Sequence, residues 1–323
     1  MQRVQSPNPR PPRITHRREN TAAESRVESV DAQWENRIDF SGSNQVHDCK
    51  VRVISKTRGV QRTGQNVGGY RGEKIQSVAV LEDCRKFARE RGFIEDRVLA
   101  EDVELLFLRR PAEGSVNLYI SAGIHGDEPA TQVAIRELVR QDAWPSGVNL
   151  WICPCLNPTG CLKTTRNNAS GIDQNRDYRH LRSSEVAAHV DWLGKQPSFD
   201  LHLCLHEDWE ADGFYLYEIN PEGRHSAATE AINRVAEVCP IDRGKQIDGR
   251  ETAEPGIIRP SIDPLIRSDW PEAFWLVQHR SQWGYTLESP SDWPMELRIN
   301  GLIRAVLTLI APVGWRTGGK PAR

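Results

Sequence analysis

Three apolar runs in this chain end in side chains able to hold a metal ion or move a proton. The first is "YISAGIHGDEPA", where a run suited to a buried strand closes on His125, Asp127 and Glu128, followed at once by Pro129. The second is "FDLHLCLHED", which places His206 at its polar end. The third is "WGYTLESP", which ends at Glu288. Pro129 disfavours helical geometry at the residue before it, so His125 and Glu128 belong to a turn and not to one helix face. Gly126 permits that turn, and a histidine and a glutamate so spaced can converge on one ion. Two histidines and one glutamate, with water in the fourth position, are a frequent ligand set of catalytic zinc. His206 would supply the third ligand from a second strand. His202 lies four residues earlier on the same strand face and remains the alternative.

A long polar loop follows another apolar run. Residues 157–178 read "NPTGCLKTTRNNASGIDQNRDY", with turn signals at Asn157-Pro158 and Gly171 and a cluster of Arg166, Asp173, Asn175 and Arg176. Long loops without apolar periodicity in a compact domain tend to be functional.

The elements that must carry these groups alternate. "IQSVAVLEDCRKFARERG" has helical spacing. "VELLFLRR" and "VNLYISAGI" read as strands, "ATQVAIRELVRQ" as a helix and "GVNLWICPCL" as a strand. "SEVAAHVDWLGKQ" and "HSAATEAINRVAEVC" read as helices, "GFYLYEI" as a strand, and "MELRINGLIRAVLTLIAP" as a long closing helix. Such alternation predicts an α/β fold, three-layer α/β/α with a central mixed, mostly parallel sheet. In such sheets ligands gather beyond the carboxyl ends of strands, where His125, His206 and Glu288 fall. Residues 71–315 are read as this domain. Residues 1–70, poor in aliphatic runs and rich in Arg, Ser, Asn, Gln and Pro, are read as a poorly structured extension, and residues 316–323 as a basic tail.

The order of these pieces resembles the zinc carboxypeptidase family of metallopeptidases. The match runs through H-x-x-E, N-P-x-G, Arg166, G-x-D-x-N-R, a strand-borne histidine and a late glutamate in "TLESP". The resemblance implies one Zn²⁺ ion held by His125, Glu128 and His206. It implies Glu288 as the general base toward a zinc-activated water, and Arg166 as a group that polarises the scissile carbonyl and stabilises the oxyanion. It implies Asn175 and Arg176 as the holders of a substrate's free carboxylate. "HGDE" and the 81 positions between His125 and His206 look closer to the compact murein-peptide amidases and the succinylglutamate desuccinylase- and aspartoacylase-like deacylases. The expected substrate is a small peptide or an N-acyl amino acid with a free carboxylate. A metallocarboxypeptidase is the first reading, a deacylase the second, and a non-catalytic zinc-binding domain the third. Asp248 and Arg250 sit where a specificity loop is plausible. Glu207 and Asp208 are read either as acceptors that orient a ligand imidazole or as solvated surface acids.

Other classes lose support. Lys plus Arg total 42 against 44 Asp plus Glu, a balance that gives no sign of a nucleic-acid partner. No apolar run approaches the roughly 18 residues of a membrane span. Seven scattered cysteines and no visible apolar leader suit reduced thiols in a cytoplasmic protein, with Cys153 and Cys155 read as small buried hydrophobes. Neither a G-x-S-x-G elbow nor a phosphate-binding glycine loop occurs. His180, His189 and His279 lack partners at ligand spacing, and the tryptophans are read as packing residues.

Overall fold

The computed structural model describes residues 60–311 except 264. The N-terminal extension as far as residue 59 and the basic tail lie outside the described residues.

The chain runs α1 (Ser77–Glu90), β1 (Ile94–Ala100), β2 (Val103–Arg110), β3 (Val116–Ser121), α2 (Pro129–Gln141), β4 (Val148–Cys153) and α3 (Pro158–Lys163). A 3₁₀ turn (Gln174–Arg176), α4 (Ser184–Gly194), β5 (Leu201–Asp208), β6 (Tyr215–Ile219) and α5 (Ala228–Val235) follow. Short strands β7 (Gln246–Ile247), β8 (Arg250–Glu251) and β9 (Ile257–Ile258) precede α6 (Glu272–His279), β10 (Gly284–Pro290) and α7 (Met295–Ile310).

Eight strands form one sheet in the order β1-β2-β4-β3-β5-β10-β6-β9. Its centre, β4-β3-β5-β10, is parallel. β2 pairs antiparallel with β4 on one side, and β6 with β10 on the other. The central strands are buried on both faces, as their near-continuous apolar character requires. Tyr119 faces α4 and α6, where its hydroxyl meets His189 Nε2 at 2.9 Å and donates to Glu272 at 2.8 Å. On the opposite face α2 packs between α1 and α7, and α7 against α5. This is the expected three-layer α/β/α arrangement with a mixed sheet.

Several elements escape the sequence pattern, among them α3, a short helix inside the stretch read as a polar loop, and the two-residue strands β7, β8 and β9. In α6 every residue from Glu272 to Val277 is buried, so no polar stripe reveals a helical period. β1 is an edge strand with Ile94 and Leu99 exposed, so its alternation is blurred. At the other end of the described chain, residues 62–66 wrap the Asp292 carboxylate. Arg62 Nε (3.1 Å), Thr63 Oγ1 (2.6 Å) and the amides of Gly64 (3.1 Å), Gln65 (3.1 Å) and Asn66 (3.3 Å) all donate to it.

Candidate metal centre and substrate cavity

The loop after β3 is shaped by close backbone approach. Gly126 lies so near Gly160 that a Cβ there would come within 2.0 Å of its carbonyl carbon, and its amide donates to Thr165 O at 3.0 Å. Asn157, fully buried, ties this loop to the next: its Nδ2 reaches Ile124 O and Arg166 O (both 3.2 Å), while its Oδ1 accepts from Gly160 N (2.8 Å). The N-P-x-G stretch is therefore the clasp between the His125 turn and the Arg166 loop.

His125, Glu128 and His206, all buried, place one ligand atom each within 4.8 Å of one another. His125 Nδ1 is 2.5 Å from Glu128 Oε1, and His206 Nδ1 is 3.0 Å from Glu128 Oε2. Burial alone would raise the Glu128 pKa, but the two imidazoles outweigh it and hold the carboxyl well below the usual carboxylate range. Glu128 sits at the N-cap of α2 without capping it, because its oxygens face the histidines. Glu207 satisfies the helix end instead. Its Oε1 accepts from Ala130 N at 2.5 Å, and its Oε2 pairs with the fully buried Arg298 at 2.6 Å. Glu207 thus orients the helix after Glu128 and makes no contact with an imidazole, one of its two expected uses. Asp208 accepts from Tyr215 Oη and from Glu210 N.

Asp173 gains a role that the sequence pattern does not assign. Its Oδ1 meets His125 Nε2 at 3.1 Å, and its Oδ2 accepts from Arg166 Nε at 3.0 Å. Burial opposes the charge, but His125 and Arg166 prevail and keep its pKa low. An acceptor on Nε2 fixes the tautomer that leaves the Nδ1 lone pair for a metal. The third position of G-x-D-x-N-R was the available signal. Arg166 Nη1 also lies 3.3 Å from His125 Nδ1 and 3.8 Å from Glu128. The donor set, two imidazole nitrogens and an anionic carboxylate with an outer acceptor, fits a divalent metal of zinc's preferences.

His202 is not part of this cluster. Its ring is buried against Gly284, where a Cβ would come within 2.1 Å of it, and both ring nitrogens lack hydrogen-bond partners. Burial drops its pKa to about 3, so it stays neutral. His189 bonds Tyr119 and Tyr178 in the core, and His180 and His279 meet backbone carbonyls. Cys153 and Cys155 are buried, with Cys155 Sγ 3.5 Å from Cys161 Sγ.

A cavity opens beside His206 and is lined by Asn175, Arg176 and Glu288. Asn175 Oδ1 accepts from Glu272 N at 2.9 Å, which leaves its Nδ2 donors for the cavity. Arg176 donates to Asn175 O at 2.8 Å and lies 3.5 Å from Asp269. Burial pushes the Glu288 carboxyl well above its ordinary pKa; Glu128 adds to the shift and His206 opposes it. Tyr217, Arg250 and Arg267 complete the rim. Tyr217 donates to Asp248, and alternation in "GFYLYEI" could have marked it as a residue on the cavity side.

Residues 115–242 match the family model of the succinylglutamate desuccinylase/aspartoacylase catalytic domain. Murein peptide amidase A of Escherichia coli is 35% identical over 99 residues, which span 31% of this chain and 40% of that protein's length. The chain resembles the zinc carboxypeptidase family. Its fold agrees: a candidate metallopeptidase of Shewanella amazonensis superposes with TM-score 0.63 at 22% identity, covering 74% of this chain and 93% of that one. A metallo-carboxypeptidase of Pseudomonas aeruginosa gives 0.52 at 18% identity, covering 73% and 68%. Within this resemblance His125, Glu128, Arg166, Asp173, Asn175 and His206 fall inside the matched residues, whereas Arg250, Arg267 and Glu288 fall outside. No helix among the described residues is long and apolar enough to cross a membrane.

Proposed function

We propose that this protein is a zinc-dependent hydrolase that cleaves an amide bond next to a free carboxylate, with a small peptide as substrate. The observation that carries this reading is that His206, Glu288, Asn175 and Arg176 line one cavity, with His125 and Glu128 grouped about His206. His125, Glu128 and His206 would hold the ion. Zinc would supply Lewis acidity, polarising the scissile carbonyl and lowering the pKa of a water to about 7.

The remaining work falls to this chain's own groups. Arg176 and the Asn175 Nδ2 donors bind the substrate carboxylate, since a guanidinium meets it through two parallel hydrogen bonds. Glu288, across from His206, takes the proton of the attacking water and delivers it to the leaving amine. Arg166 stabilises the developing oxyanion, where a fixed donor contributes about 2.7–4 kcal/mol, once substrate draws it from Asp173. Asp173 holds His125.

The family match favours a second reading, deacylation of an N-acyl amino acid, which the same carboxylate site would serve. Metal-dependent hydrolysis of short peptides set against N-acetyl and N-succinyl amino acids tests both. Cleavage of peptides supports the first reading, and cleavage of the acyl amino acids alone replaces it with the second. Inertness toward all of them removes the proposed reaction and leaves a zinc-binding domain.

A further inference from the structure

Glu272, the first residue of α6, is buried and bonded on two sides. Pro271 precedes it at the N-cap and caps nothing with its side chain, so the helix's first amide needs an acceptor from elsewhere. Asn175 supplies it through Oδ1, at 2.9 Å. That contact also decides which way the Asn175 amide lies, because a flipped amide would set its Nδ2 donors against an N–H donor. The side chain of Glu272 reaches the other way. Its Oε1 accepts from Tyr119 Oη and its Oε2 from Ser121 Oγ, both at 2.8 Å. Tyr119 and Ser121 lie two apart on β3, hence on one face of the strand that leads to His125.

Behind Tyr119 stands His189, with Tyr119 Oη 2.9 Å from its Nε2 and Tyr178 Oη 2.7 Å from its Nδ1. Burial drops the His189 pKa to about 3, so the ring is neutral and carries one N–H. Tyr119 gives its proton to Glu272, so its oxygen accepts from Nε2, and Nδ1 accepts from Tyr178. Every donor in this chain points toward Glu272, which is its acceptor end. Burial raises the Glu272 pKa, while the bonds from Tyr119 and Ser121 and the charge of His206 oppose the rise.

We propose that Glu272 is a positioning residue for the substrate carboxylate, tying the strand that leads to His125 to the amide that Asn175 presents in the cavity. The inference rests on the reading of Asn175 and Arg176 as the holders of that carboxylate. Glu272 is not among the residues that line the cavity, so it acts through Asn175. Glu272→Gln sets an NH₂ donor against Tyr119 or Ser121, which displaces the start of α6 and Asn175 with it.

The test uses the full-length zinc-loaded protein with N-acetyl dipeptides that end in a free carboxylate, and with their carboxamide twins. The unaltered protein should favour acid over amide. Glu272→Gln should bind as much zinc and lose about 10–10²-fold in kcat/KM on the acids, carried by KM, as misplacing a binding group by about 1 Å does. The amides should change little. In an Asn175→Ala background the same substitution should cost the acids little more, because both act through one contact. Additive losses, or parallel losses on acids and amides, mark a merely structural role; they overturn the inference and leave the carboxylate site standing. Calorimetric titration of the same pairs makes the comparison without a chemical step. Acid-selective binding that Glu272→Gln weakens only where Asn175 is present supports the inference even where nothing is cleaved. Acid and amide treated alike by the unaltered protein remove the carboxylate site itself, and the inference with it. Where Glu272→Gln does not fold, Ser121→Ala, which removes one donor and no charge, carries the same comparisons.

Discussion

Glu288 stands directly opposite His206 in the parallel pairing of β10 with β5. Register partners on adjacent strands lie about 4.8 Å apart and direct their side chains to the same face. This pairing puts a carboxyl with a raised pKa beside a buried imidazole, at the strand ends where the cavity opens.

If Glu288 is the proposed base, Glu288→Gln should bind as much metal as the unaltered protein and lose at least about 10²-fold in kcat, the low end of general-base effects. Metal analysis and single-turnover kinetics on one preparation check both halves. Unchanged turnover takes Glu288 out of the mechanism.

The proposed third ligand, His206, can be separated from its neighbour His202. His206→Ala should purify without stoichiometric metal. His202→Ala should retain metal and be destabilised, because it opens a void against Gly284. Metal loss in His202→Ala with retention in His206→Ala would reverse the assignment.

Asp173→Asn tests the orientation of His125. An outer acceptor on a metal-ligating histidine is typically worth about 10–100-fold in metal affinity. Competition against a chelator should show a loss of that size, and wild-type affinity in the variant would leave Asp173 as a partner of Arg166 alone.

Glu207 and Arg298 are both fully buried, so each should be more costly to remove singly than together. Arg298→Met should destabilise by about 3–5 kcal/mol, and adding Glu207→Leu should recover part of that loss. Denaturant midpoints of the single and double variants measure the difference. Strict additivity would mean that the pair is not coupled.

Asp292 gives a pH signature away from the metal centre. Burial opposes its charge, but the donors from residues 62–66 prevail and depress its pKa below the ordinary carboxylate value. A depressed folded pKa stabilises the fold above the unfolded value of about 3.9, and that stability fades as pH falls through the folded pKa. The Tm gap between wild type and Asp292→Asn should therefore be open at pH 6 and close below pH of about 4. A gap independent of pH would sink the assignment.

The sequence alone determined the chemistry available and its order along the chain. The His125–Glu128 turn, the Asn157-Pro158 turn, the Asp173-Asn175-Arg176 run and the alternation of strands and helices are written in local patterns, whereas the clasp that Asn157 makes to Ile124 and Arg166 is not. Glycine, proline and apolar spacing act over a few residues, so a linear reading reaches them. Tertiary structure decided the rest. His202 and His206 share a strand face, and only their depth along β5 separates them, with one packed on Gly284 and the other facing Glu128. Glu207 could be assigned to α2 and Arg298 only once α7 was docked on the sheet. The gathering of Arg176, Arg250 and Arg267 depends on loops whose positions no local pattern encodes. Register and docking are set by burial between segments far apart in the chain, and that physics leaves no mark on any one stretch of sequence.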